Sequence, residues 1–159
     1  MGIRKGVAVA VVACAVAAGA AVQAVPAFAA DYGVVRGVVA LTNNARARAG
    51  CGPVTTSPRL SYAAWLHSRD MAGRGYFSHG SPGGSSPGSR VNSVGYRWSS
   101  YGENIAWGQR SAREVMGDWM SSPGHRANIL NCRFRNVGVA VAYNGRGVPY
   151  WTQDFASPR

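Results

Sequence analysis

The stretch NVGVAVAYNGRGVPYWTQDF, residues 136–155, constrains the fold more than any other part of this 159-residue chain. Runs of β-branched and aromatic residues flank Asn144-Gly145, a pair that favours reversal between two antiparallel strands. Only one other stretch, YGENIAWG at 101–108, reads as a strand. So few strands cannot bury both faces of a sheet by themselves, so helices must cover both. The predicted fold class is α+β: a three-layer α-β-α sandwich with a small, mainly antiparallel sheet between helices.

The rest of the chain supplies those helices. VVRGVVALTNNARARA, residues 34–49, places Val34, Val38, Leu41 and Ala45 on one helical stripe, and Gly50 ends it. Ser57 caps a second helix with Pro58 at its first position, and Leu60, Ala63, Ala64, His67 and Met71 follow at helical spacing. SHGSPGGSSPGSR is too rich in Gly, Ser and Pro for regular structure until Ser86-Pro87, which opens a short helix to about Ser93. Ser111 with Glu114 three residues on resembles a capping box, with Val115 and Trp119 on one face. PGHRANIL adds one further turn. Trp65, Trp107, Trp119 and Trp151 read as core aromatics.

No repeat and no long linker divides the chain. Its first 29 residues have the form of a secretory signal: Arg4 and Lys5, an uncharged Ala/Val run from Val7 to Val22, then Ala27-Phe28-Ala29 as a cleavage pattern. An uncleaved anchor and a lipoprotein box at Cys14 are the alternatives for this segment. Cleavage near Ala29 leaves residues 30–159 as one domain and predicts a secreted, extracellular protein. Cys51 and Cys132 are then an even pair in an exported chain, which suggests one disulfide. Fifteen basic and six acidic side chains remain after position 29, and every basic one is Arg. Such a surface is drawn to anionic cell-envelope polymers or headgroups. The arginines are scattered, without the basic runs of a nucleic-acid reader, so no specific nucleic acid is expected. A monomer is expected.

Three polar residues stand apart: His79 in YFSHGSP, Glu103 in YGENIAWG and His125 in SSPGHRANIL. A carboxylate among apolar neighbours is costly unless paired. Two imidazoles and a carboxylate make a usual shell for a zinc-like ion with an open position, and they equally make a hydrogen-bonded polar cluster. Their spacings of 24 and 22 residues match no compact metal motif. His67 lies on the apolar stripe of the second helix and reads as a core histidine with a local hydrogen bond. Asp70 and Arg74 read as a surface pair one turn apart.

YFSHGS, GENIAWG and WMSSPGHRANILN, followed by VGVAVAY and YWTQDF, closely resemble the CAP family, which groups cysteine-rich secretory, antigen 5 and pathogenesis-related proteins. The likeness is to its bacterial SCP-like branch and runs from about Val38 to Phe155. It implies an α-β-α sandwich and a central cleft lined by two His and two acidic residues, which fall here on His79, Glu103 and His125. The second acid is missing: Ser121 and Ser122 follow Trp119 where many eukaryotic members carry Glu. A divalent metal at His79/His125 with Glu103 would therefore be held weakly, and no cofactor is required. Without metal, Glu103 is expected between His79 and His125, favouring their charged forms. Asn104 would orient the carboxylate or bind backbone. The resemblance implies a binding module for a small amphipathic ligand such as a lipid. A hydrolase with His79 or His125 as base and Ser122 or Ser78 as nucleophile is the first alternative. Arg-rich adhesion to anionic cell-envelope polymer is the second.

Overall fold

The computed structural model describes residues 31–159 and, before them, Gly2 alone. The expected secretory signal, Cys14 and the expected cleavage site near Ala29 lie outside the described residues. The elements are α1 (Tyr32–Arg48), β1 (Thr55–Thr56), α2 (Pro58–Arg74), α3 (Pro87–Ser93), β2 (Trp98–Trp107), α4 (Ala112–Ser121), α5 (Pro123–Ile129), β3 (Asn136–Tyr143) and β4 (Pro149–Pro158). The strands form one sheet in the order β1-β3-β4-β2. Both long pairings are antiparallel, and the two-residue β1, which the residue pattern does not announce, adds a parallel edge to β3.

Alternation along the strands sorts side chains between the two helical layers. Val137, Val139, Val141, Trp151 and Phe155 pack with Val38, Val115, Trp119 and Ile129, which places α1, α4 and α5 on one face. Ala156 packs with Leu60, Ala63 and Val91, and Ile105 and Tyr150 with Met71 and Ala72, which places α2 and α3 on the other. This is the expected sandwich. The close fit of α2 depends on Gly138: a Cβ there would stand 2.1 Å from the Leu60 carbonyl carbon, so any side chain on β3 at that point would push the helix off.

Local signals terminate the elements largely as expected. The Ser57 hydroxyl accepts from the Leu60 amide, and Gly75, at φ 68°, closes α2 in the left-handed conformation. Ser86 and Ser89 cap α3 reciprocally. The Ser111 hydroxyl accepts from the Glu114 amide, but the Glu114 carboxylate takes the Arg110 amide instead of closing the box on Ser111. The hairpin forms through a longer loop than Asn144-Gly145 alone would make, because Asn144 Oδ1 accepts from both the Arg146 and Val148 amides. Trp119 and Trp151 are core residues. Trp65 is half-buried beneath the Arg69 guanidinium. Trp107 departs from expectation at 55% exposed: it ends the edge strand beyond the helical cover and leans on Phe77 and Tyr150.

Two further ties brace the α1 side. Arg46, buried in α1, donates to the carbonyls of Gly52, Ile129, Asn131 and Phe134, joining three segments with one guanidinium. Cys51 and Cys132 form the expected disulfide across 81 residues, a closure worth about 4–5 kcal/mol on the chain-entropy account. Among the described residues no helix is long and apolar enough to cross a membrane.

Candidate functional site: a buried carboxylate on the edge strand

β2 has a sheet neighbour on one side only, so residues on both of its faces lie near a surface. Glu103 pairs in register with Asp154 and Asn104 with Gln153. Successive side chains point to opposite faces, so Glu103 faces α2 and α3 while Asn104 faces α1 and α5. Gly102 makes room for this arrangement: a Cβ would meet Asn128 Oδ1 at 2.8 Å.

On the α2 face the Glu103 side chain is 2% exposed and has both oxygens engaged. Oε1 lies 2.8 Å from His79 Nδ1 and 3.9 Å from His67 Nε2; Oε2 accepts from the Arg90 guanidinium at 2.6 Å. The Arg90 side chain is 8% exposed and also donates to the carbonyls of His79 and Ser85, so it fixes the loop that carries His79. Burial pushes the Glu103 carboxyl up in pKa, but the hydrogen bond with His79 and the charges of Arg90 and His67 outweigh it, and the net direction is down. Glu103 is the ionised centre of this cluster.

Asp154 lies beside it and behaves oppositely. It is fully buried, and burial first, then the Glu103 charge, raise its pKa well above the ordinary aspartate range. Asp154 thus favours its neutral form more strongly than an exposed aspartate does. Two carboxyls in contact away from water divide in this way, one charged and one protonated.

His67 is the buried core histidine its position implies, with Nε2 donating to the Ser78 carbonyl at 3.0 Å, but it also contacts the charged cluster. Burial holds its pKa below the ordinary histidine value, only partly countered by Glu103. Asp70 and Arg74 form the expected pair at 3.6 Å.

His125 corrects the expected geometry. Glu103 is held between His79 and Arg90, with His67 as the second imidazole, and not between His79 and His125. Burial, followed by the nearby charge of His79, lowers the His125 pKa, so it disfavours the charged form expected of it. It nevertheless stands within electrostatic reach of His79 at the strand edge. Its backbone is fixed from the opposite face: the carbonyl accepts from Asn104 Nδ2 at 3.2 Å.

Asn104 therefore lies behind the sheet and not in the cleft with Glu103. It is fully buried in an amide network, donating to Gln153 Oε1 and accepting from Asn128 Nδ2, while Gln153 donates to the Thr42 hydroxyl. Asn128 also donates to the Glu103 carbonyl, so α5 is bonded to the backbone and side chain of consecutive β2 residues. Of the two roles open to Asn104, it takes the structural one.

Among the described residues no group of three His, Cys, Asp or Glu side chains is arranged to hold a metal ion. The reason is visible at Glu103, whose oxygens are occupied by His79 and by a guanidinium that would repel a cation. A shell of His79, Glu103 and His125 does not fit this geometry. Nor do the described residues pair a serine hydroxyl with an imidazole. The Ser78 hydroxyl accepts from the Gly80 amide, and Ser122 joins α4 to α5 through its backbone.

Sequence reasoning missed Arg90 and Asp154. Asp154 carried a signal: Thr152-Gln153-Asp154 is a run of three polar residues in an otherwise apolar strand, which demands partners on both faces. Arg90 is one of many arginines and had none.

Residues 39–155 match the model of the CAP family, described as the cysteine-rich secretory protein family. The chain is 42% identical over 118 residues to YkwD of Bacillus subtilis (strain 168), covering 74% of this chain and 45% of that protein. The crystal structure of an extracellular SCP-domain protein from Bacillus anthracis str. Ames aligns with a TM-score of 0.71 at 31% identity, over 78% of this chain and 40% of that one. An outer surface protein from Borrelia burgdorferi aligns at 0.76 over 81% and 96%, with 14% identity, a likeness of fold alone. The chain thus spans less than half the length of YkwD and of the anthracis protein. With the motifs in order and the sandwich around them, this chain belongs to the CAP family of cysteine-rich secretory proteins.

Proposed function

We propose that the chain is a secreted binding module whose cleft takes a small amphipathic ligand of lipid type. The reading rests on one juxtaposition: a charged cluster and an exposed aromatic surface share one face of the edge strand. Glu103, Ile105 and Trp107 are alternate residues of β2 and so point the same way. At one end His79, 51% exposed, carries the Glu103 hydrogen bond on Nδ1, which leaves Nε2 for a ligand headgroup. At the other, Phe77 and Trp107 are both exposed, with ring centroids 6.4 Å apart. Exposed aromatics beside a polar anchor suit a molecule with a polar end and an apolar body. Secretion accords with the disulfide, a bond of oxidising compartments. A divalent ion would be left with the imidazoles of His79 and His125 alone, a poor shell.

The test is lipid capture by the purified protein, with recovered lipids identified by mass spectrometry. His79→Ala and Trp107→Ala should each lower recovery about tenfold, the effect of losing about 1.4 kcal/mol of contact. Undiminished recovery by both variants would separate lipid binding from this cleft.

A further inference from the structure

Five arginines stand together at one end of the sheet: Arg59, Arg97, Arg133, Arg135 and Arg159. At this rim β2 and β3 begin and β4 ends, since Trp98 pairs with Pro158 and Asn136 with Ala156. Arg135, Arg159 and Arg97 therefore flank three adjacent strands, which lie about 5 Å apart. Backbone bonds tie the set together. The Arg159 amide donates to the Arg97 carbonyl, the Arg135 amide to the Ala156 carbonyl, and the Ser157 hydroxyl to the Arg133 carbonyl. Arg59, in the first turn of α2, reaches the Gly95 carbonyl. Between Arg97 and Arg159 the rim holds a hollow of about 430 Å³, lined also by Asn92, Gly95 and Trp98.

All five side chains are exposed. Among the described residues none of them has a carboxylate within ion-pair distance. The six acidic side chains of the protein lie elsewhere. Asp31 meets Tyr143 at the opposite end of β3, and Asp70 pairs with Arg74. Glu103 and Asp154 are buried in mid-strand, and Glu114 and Asp118 belong to α4. A pole of one sign draws an anionic partner, and the guanidinium fork suits phosphate oxygens.

What the rim lacks narrows that partner. A membrane surface is held by side chains that insert among acyl chains, and a single-stranded nucleic acid by rings on which its bases stack. Tyr96 and Phe134 are buried, and Trp98 packs edge-on with Tyr101 and donates to the Gly88 carbonyl. On α2 the exposed Tyr62 is stacked on Trp65. The rim thus offers charge without a means of insertion or base stacking. We propose that it is a docking surface for a flexible phosphodiester polymer without bases or acyl chains, a polyol phosphate. Successive phosphates lie on Arg135, Arg159 and Arg97, with Arg133 and Arg59 flanking them.

The test is binding of fluorescently labelled poly(glycerol phosphate) to the purified disulfide-bonded protein, read by anisotropy at two salt concentrations. With about three to five phosphates neutralised, affinity should fall roughly 20- to 100-fold between about 50 and 200 mM salt. Arg97→Gln/Arg135→Gln/Arg159→Gln should weaken binding at the lower salt at least about tenfold and flatten the salt dependence. Arg110→Gln/Arg113→Gln/Arg146→Gln removes the same charge from outside the rim and should weaken it less than about threefold. Arg97→Gln/Arg159→Gln, at the hollow alone, serves should the first triple variant fold poorly, and it should still exceed the loss of the second. Equal losses in the two triple variants would reduce the effect to net charge and overturn the assignment. So would tighter binding of phosphatidylglycerol vesicles or of polyadenylate through the same arginines, which would make the partner a membrane or an RNA. Absence of polymer binding at the lower salt would overturn it outright.

Discussion

Glu103 and Asn104 are neighbours in the chain, equally buried, and they organise two unlike polar networks on opposite faces of one strand. Asn104 sits among Gln153, Asn128, Thr42 and a backbone carbonyl, all neutral, and ties α5 and α1 to the sheet. Glu103 sits among Arg90, His79, His67 and Asp154, all titratable or charged. Four buried side-chain atoms among the described residues lack partners, and three of them belong to His67, Arg90 and Asp154 on the Glu103 face. A network that only holds elements together can be closed with amides. One that keeps charge and an exposed imidazole at a strand edge is what the proposed binding role requires.

The largest expected effect breaks the charged network. Glu103→Ala leaves the Arg90 cation buried without its anion, and such a loss costs about 3–5 kcal/mol. Urea denaturation at neutral pH reads it. The companion Glu103→Leu/Arg90→Met removes both charges and should recover most of that loss, because apolar groups of similar volume replace buried pairs at little cost. A loss under about 1 kcal/mol for Glu103→Ala would mean that the pair behaves as a surface ion pair, and the contrast between the faces would fail.

Next in size is the neutral network. Asn104→Ala strands Asn128 and Gln153 amide groups in the core, at about 1–3 kcal/mol. Its distinguishing mark is the absence of any pH dependence in the difference from wild type between pH 5 and 8, since none of its partners titrates there. A difference that varies across this range would mean that the two faces are electrostatically coupled through the strand.

The same contrast explains what could be read from sequence. Layers, caps and disulfide followed from local rules: Ser57-Pro58, Ser86-Pro87, the Cys51 and Cys132 pair, and alternation in the hairpin. Glu103 announced itself as a carboxylate in an apolar run, and His79 was its partner as expected. Partnership across elements was harder. Arg90 reaches Glu103 from α3 over 13 residues of chain, a contact fixed by how α3 docks and by nothing in its neighbours' identity. His125 was assigned to Glu103 because the family resemblance places both around one cleft. The β2–β4 register instead turns Glu103 toward α2, while α5 approaches Asn104 from behind. Trp107 looked like core because the end of the helical cover over β2 is a property of the packed layers and not of the strand.

The smallest effect concerns Asp154. Its folded pKa is raised, so the folded state holds that proton more tightly than the unfolded chain does. The contribution is complete below the ordinary aspartate pKa of about 3.9 and is lost as pH rises through the folded value. Glu103 has the opposite sign: its folded pKa is lowered, so its contribution is present above the ordinary range and lost as pH falls. Asp154→Asn replaces the carboxyl with an amide of similar shape that does not titrate, and so removes only the first limb. Urea denaturation at pH 4, 6 and 8 should place the variant within about 1 kcal/mol of wild type at pH 4 and progressively above it toward pH 8. Parallel profiles would mean that Asp154 ionises as an ordinary aspartate beside Glu103. The Arg90 charge would then be shared between two anions, and the guanidinium that now belongs to Glu103 would be the feature most in need of reassignment.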